Sequence, residues 1–296
     1  MPQLIRAGAV LAAMALAATA QQRFRIDSNL ILAPVTVTDA RGRYVSDLAN
    51  EAFTILEDGR PQRIVSISRE ATPISLGVVI DTSGSMVNKW PAVRSAVSSL
   101  LEGLDDRDEM FLLTFADSPW RQLDFTGDPA ALATRLGQLR PVGSTALYDG
   151  VVQAVSQMRR ARPGSRKVLF LVSDGGDNHS RATEREVRRL VEEEDVQVHA
   201  IGIHDVMPDM EERRGPWILE DLSEMTGGQH YMIRDAGELP RLARRIGETI
   251  HQQYVIAYQP DLPASPGKFR RLTVKVRTPP NSAALRVNAR RGYRAL

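Results

Sequence analysis

The chain has no cysteine at all. That excludes disulfides, thiolate zinc sites, a cysteine nucleophile and a lipid attached through an N-terminal cysteine, so stability must come from packing. Neither sign of charge prevails: 38 Lys and Arg stand against 36 Asp and Glu, a formal net charge of +2. This is too small a surplus to point to nucleic acid, although a pI near 9.0 permits weak attraction to an anionic surface. Acidic residues are missing from one stretch, Lys268 to Leu296, which carries nine Lys or Arg. Because Arg271, Lys275 and Arg277 alternate with apolar residues there, the expected reading is the solvated face of strands. Docking on an anionic envelope polymer or lipid is the competing use.

Long apolar runs are also absent beyond the start of the chain. The first twenty residues order a basic Arg6, an apolar stretch from Ala7 to Ala18 and the small residues Ala18-Thr19-Ala20, the sequence of parts in a cleavable secretory signal. The stretch falls short of the roughly 20 apolar residues that a spanning helix needs. Residues 1–20 are therefore expected to be a signal peptide, with an uncleaved anchor as the alternative, and the protein is expected in a periplasm or outside the cell. Export without cysteine fits a bacterial envelope.

What is present is ordinary globular composition: 296 residues, 43% hydrophobic and 25% charged, enough for one large domain or two smaller ones. Residues 21–70 read as β structure. Ala33 to Thr38, Ala52 to Leu56 and Gln62 to Ile67 are strand-like, with a turn at Asp39 to Arg43. Between the last two strands lies Asp58-Gly59, a hairpin signal because both residues tolerate positive φ.

Over 71–253 the pattern changes. Apolar runs at Ile74 to Ile80, Met110 to Phe115, Val168 to Val172 and Val196 to Ile203 alternate with helical spacing at Lys89 to Leu104, Pro129 to Leu139, Leu147 to Arg160, Ala182 to Glu194 and Trp217 to Met225. Strand alternating with helix predicts a doubly wound, mostly parallel α/β sheet. A last helix, Glu238 to Gln253, carries Leu239, Leu242, Ile246 and Ile250 on one stripe. Residues 254–296 return to β character at Tyr254 to Tyr258, Leu272 to Val276 and Leu285 to Ala289. The two β flanks are expected to pack on each other as a small sandwich; two unrelated appendages would leave the same pattern.

Chemistry concentrates at three loops. Asp81-Thr82-Ser83-Gly84-Ser85 follows directly on an apolar strand, and ligands of open parallel sheets bind outside the carboxyl ends of strands. Gly143-Ser144-Thr145 enters a helix, and Ser173-Asp174-Gly175-Gly176 ends another strand. Carboxylate and hydroxyl oxygens are hard donors suited to magnesium or manganese. The bland alternative for Asp81 to Ser85 is a helix N-cap, because Asp and Ser satisfy free amides there. Asp149 is expected at a helix start or as a supporting group behind the metal ligands, with metal ligation as the lesser alternative, and Asp177, Asn178 and His179 on a solvated rim.

In this arrangement the sequence resembles the von Willebrand factor type A family, whose metal-ion-dependent adhesion site is Asp-x-Ser-x-Ser followed by a later Thr and a later Asp. Asp81, Ser83, Ser85, Thr145 and Asp174 match those positions in order, and the resemblance spans Ala71 to Gln253. The flanks look like those of bacterial exported relatives. The resemblance implies that Ser83 and Ser85 ligate a Mg2+ or Mn2+ ion directly. Thr145, Asp81 and Asp174 would do so directly or through water, and an Asp or Glu carboxylate of a protein partner would complete the shell. It also implies a binding protein and not an enzyme. A module whose metal only stiffens loops is the alternative, and a hydrolase using Ser83 or Ser85 with His179, His199, His204, His230 or His251 is weaker still, since Gly-x-Ser-x-Gly, a phosphate-binding Gly-x-x-x-x-Gly-Lys loop and His-Glu-x-x-His are all absent.

Overall fold

A computed structural model describes residues 30–69, 72–174, 176–203, 215–261, 265–278 and 284–295. The expected signal peptide, Gly175 and His204 lie outside the described residues. Strand β1 (Ile31–Thr38) turns its Ala33, Val35 and Val37 inward with no exposure. Asp39 then stops it: its carboxylate accepts the amides of Arg41 and Arg43, and Gly42 takes a φ of +71°. Strands β2 (Phe53–Glu57) and β3 (Arg60–Pro61) form the expected hairpin, with Asp58 and Gly59 at φ of 48° and 82°. Both central residues are left-handed, the geometry that matches strand twist in a two-residue hairpin. The return arm, however, is divided. Strand β4 (Arg63–Ser68) leaves the hairpin for a second sheet, from which Ile64 and Ile67 reach the same core.

The α/β part follows in order as β5 (Ile74–Asp81), α1 (Trp90–Leu101), β6 (Glu109–Phe115), β7 (Pro119–Thr126), α2 (Pro129–Gly137), α3 (Leu147–Gln157), β8 (Arg166–Ser173), α4 (Glu184–Glu193), β9 (Gln197–Ile203), α5 (Gly215–Thr226), β10 (His230–Ile233) and α6 (Leu239–Ile250). The six strands lie in the order β10-β9-β8-β5-β6-β7, all parallel except β7. Every residue of β5 is buried. Its Ile74, Leu76, Val78 and Ile80 pack beneath α1, α2 and α6, while Val79 faces α3, α4 and α5. An unbroken apolar strand is what helices on both faces require. Gly77 has no room for a side chain, since a Cβ there would lie 2.5 Å from Leu169 Cδ2 and from Phe111 Cζ.

Strands β7 and β10 were not among the sequence expectations. Each sits at a sheet edge, and β7 exposes Trp120, Arg121 and Asp124 and buries none of its residues fully, so neither leaves an apolar run.

Strands β11 (Tyr254–Gln259), β12 (Phe269–Val276), β13 (Arg286–Ala289) and β14 (Gly292–Arg294) complete the fold. They pair with the N-terminal strands in two antiparallel sheets, ordered β13-β1-β11-β4 and β14-β12-β2-β3. The flanks are thus one sandwich and not two appendages. Its core joins Val35, Val37, Ile55, Tyr254, Tyr258 and Leu272. Glu57 is buried at its centre, taking the hydroxyls of Tyr258 at 2.6 Å and Tyr293 at 2.9 Å and the guanidinium of Arg270.

Candidate functional site

Strand β5 lies between β6 and β8, so the chain builds outward on one side of β5 and then crosses to the other. Strand order reverses there, which opens a crevice at the carboxyl ends. Asp81 is the last residue of β5 and Ser173 the last of β8. The loops that follow them meet over this crevice.

The Asp81 carboxylate is fully buried and accepts the Ser83 amide at 2.8 Å and the Ser173 hydroxyl at 2.6 Å. Ser83 occupies the N-cap position of a six-residue 3₁₀ helix, Gly84–Lys89, yet its side chain caps nothing. Instead its Oγ lies 3.0 Å from Ser85 Oγ, and Ser85 donates to Asp174 Oδ1 at 2.9 Å. The N-cap alternative therefore fails on the position of the hydroxyls. Four of the five expected residues, Asp81, Ser83, Ser85 and Asp174, form one hydrogen-bonded chain, which Asp81 joins through the Ser83 amide.

Thr145 arrives by its backbone. The Gly84 amide donates to the Gly143 carbonyl at 2.9 Å and the Val142 amide to the Thr82 carbonyl at 2.7 Å, which clips the second loop onto the first. The Thr145 amide donates to Asn178 Oδ1, and the Thr145 carbonyl accepts the amides of Asn178 and His179, which clips the second loop onto the third. Asn178 and His179 are exposed, as a solvated rim would be, and Asp177 and Asn178 also fasten loops together; Asp177 accepts the Tyr148 amide at 3.1 Å. Asp149 does the same from the start of α3, accepting the amides of Arg181 and Ala182. Ser173, expected only as part of the third loop, bonds Asp81, and Asp117, which sequence reasoning missed, accepts the Ser144 amide at 2.7 Å. Lys89 was expected only as a helix residue. Its ammonium group is 2.6 Å from Asp174 Oδ2, and the pair is buried.

Electrostatics favour a cation. Burial first, and the nearby Asp174 carboxylate second, push the Asp81 carboxyl up to about 7. A rise of that size disfavours the ionised form by roughly 4 kcal/mol. A nearby cation favours the ionised form of Asp81 and so acts against that cost. The donors are hard oxygens on three loops, and the residues present fit a small divalent cation.

No histidine among the described residues hydrogen-bonds Ser83 or Ser85. His199 is buried in β9, and its Nδ1 accepts the Gln229 amide. His251 pairs with Asp108 at 2.8 Å at the opposite edge of the sheet. Asp105, Asp108 and His251 cluster closely enough to hold a metal, but Asp108 is occupied there by the amides of Ile74 and Asp105 as well as by His251. Four of the nine basic residues of the C-terminal stretch pair with acids: Arg270 with Glu57, Arg290 with Asp195, Arg291 with Asp221 and Glu224, and Arg294 with Glu192. Among the described residues no helix is long and apolar enough to cross a membrane.

Comparison with known proteins agrees with this fold. A solved structure of a von Willebrand factor type A protein from Catenulispora acidiphila superposes with a TM-score of 0.54 at 15% identity, covering 92% of this chain and 75% of that one. Proximal thread matrix protein 1 of the mussel byssus gives a TM-score of 0.54 at 17% identity over 66% of this chain and 51% of its own. A second structure of it, described as having a zinc-occupied metal-ion-dependent adhesion motif, gives 0.52 at 16% identity. In sequence, an uncharacterized protein of Synechocystis is 26% identical over 110 residues, 36% of this chain; the chain spans about a quarter of that relative's length, 26%. The pattern of the von Willebrand factor type A domain itself matches residues 76–244, more than half of the chain, and the chain belongs to that family.

Proposed function

We propose that the protein is a metal-dependent binding protein. In this reading Asp81, Ser83, Ser85, Thr145 and Asp174 hold one Mg2+ or Mn2+ ion, and an Asp or Glu side chain of a protein partner binds to it. The observation that carries this is the pair of hydroxyls at Ser83 and Ser85, which cap no helix and turn to each other and to Asp174. When bound, the ion supplies a positive charge with a position open to a carboxylate. The chain's own part is to hold the oxygens ready. Ser173 and the Ser83 amide fix Asp81, and the bonds between Gly84 and Gly143 and between Thr145 and Asn178 fix the three loops against one another. Few carboxylates touch the ion, so it keeps net charge for a partner. The zinc-occupied motif of the mussel protein supports a divalent ion in a site of this kind. Binding without bond making, and not catalysis, is the activity proposed.

Residues 1–20 are proposed to direct export to a periplasm or the cell exterior. Residues 71–253 are proposed as the binding unit, carried on a platform made from residues 21–70 and 254–296. Calorimetric titration with MgCl2 and MnCl2 tests the site. Wild type should bind one ion, and Asp81→Ala should show no binding heat while keeping its circular dichroism. Equal affinity in the two proteins would reject the reading. A partner retained by immobilised wild type in magnesium should be released by chelator and missed by Asp81→Ala; retention despite chelator would favour a metal that only stiffens loops.

A further inference from the structure

Lys89 closes the 3₁₀ helix that begins at the site, so Ser83, Ser85 and Lys89 are delivered by one short segment. Lysine is seldom buried without a partner, and here residue exposure is 8% with the ammonium 2.6 Å from Asp174 Oδ2. The other oxygen of the same carboxylate takes the Ser85 hydroxyl at 2.9 Å. Asp174 is therefore gripped from both sides, by a hydroxyl expected on the metal and by a fixed positive charge.

We infer that Lys89 is a built-in cation of the site, which orients Asp174 in the absence of metal and holds down the affinity for a divalent ion. The inference rests on the metal-site reading above. Its physical basis is a difference in charge. Among Asp81, Asp174 and Lys89, with both carboxylates ionised, the net charge is two negative without Lys89 and one with it, and the ion must enter beside the ammonium group. Even at the dielectric constant of bulk water, a unit positive charge about 6 Å from a doubly charged ion weakens binding about tenfold; a less polar surrounding increases the factor. Removing Lys89 leaves a buried carboxylate short of a partner, which destabilises the ion-free protein. Loading of the site then answers to the ion concentration around it.

The experiment is calorimetric titration of MnCl2 into wild type, Lys89→Met and Lys89→Gln, with thermal melts with and without Mn2+. Both variants should bind Mn2+ about tenfold or more tighter than wild type, melt lower without the ion, and gain more from it. Lys89→Gln keeps a hydrogen-bond donor toward Asp174 and carries the measurement if Lys89→Met does not fold without metal. Mn2+ affinity unchanged or weaker in Lys89→Gln overturns the inference, and if wild type still binds through Asp81 the metal reading stands. Binding by the variants and not by wild type overturns the metal reading for wild type and upholds Lys89 as the barrier. Binding by none of the three overturns both.

Discussion

His199 illustrates what burial does to a single residue. It sits in β9 at 1% exposure with its Nδ1 on the Gln229 amide, and its Nε2 has no partner among the described residues. Burial first, and the positive charge of Arg166 second, push its ring down to about 3. The folded protein therefore holds it neutral, while the unfolded chain takes up a proton near pH 6.5. Stability is complete above that pH and is lost as the pH falls toward about 3. Between pH 7.5 and 5.5 the loss from this residue should be about 1.4 kcal/mol. Urea denaturation at both pH values checks this, and His199→Gln should lose less by that amount; equal losses would reject the assignment. At this scale the sequence is readable where chemistry follows a fixed spacing, as from Asp81 to Ser85. It is silent where a role depends on a distant contact. Asp149 looks like a helix start and serves as an acceptor for Arg181 and Ala182, and Lys89 looks like a helix residue and pairs with Asp174.

At the scale of elements, α1 and α6 lie against each other over the face of the sheet that holds β5. Their closeness depends on Gly103, just beyond α1, and on Gly247 within α6. A Cβ on Gly247 would come 2.6 Å from the Leu100 carbonyl oxygen, and one on Gly103 would come 2.6 Å from the Gly247 carbonyl carbon. Gly247→Ala sets two effects in opposition. Helix propensity favours alanine by about 1 kcal/mol, while forcing a methyl into backbone costs roughly 1–3 kcal/mol. Because the obstacle is main chain and not a side-chain tip, the clash should win, and the variant should lose about 1–2 kcal/mol in urea denaturation. A gain in stability would mean that the helices part without cost. Buried strands such as β5 and β8 were legible as apolar runs, and helices by their stripe. Edge strands β7 and β10 were not, since half of an edge strand's surroundings is solvent and its composition follows.

At the scale of the whole molecule, the sandwich rests on a buried ionic centre. Glu57 takes the hydroxyls of Tyr258 and Tyr293 and the guanidinium of Arg270, joining residues from both ends of the chain. Glu57→Ala takes away the buried partner of Arg270 and leaves it only the half-exposed Asp58 at 3.2 Å, which should cost up to about 3–5 kcal/mol, whereas Glu57→Leu with Arg270→Met should recover much of that loss, because apolar replacements remove both desolvated charges. Chemical denaturation of the single and double variants decides it; a double variant as unstable as the single one would show that packing and not charge is at issue. The union of the flanks was only half legible. Alternation marked the strands, but nothing in local sequence says that Ile31 pairs with Tyr258 or Thr54 with Lys275.

That pairing also sets an order of assembly. Strand β1 is made before the parallel sheet and its partners β11 and β13 after it, while β5 to α6 are contiguous in the chain. During synthesis the parallel sheet is complete before β1 has a neighbour, so Val35 and Val37 wait unpaired through the making of the part that carries Asp81. Such long-range closure is intrinsically slow, and β1 is an open edge until β11 and β13 arrive.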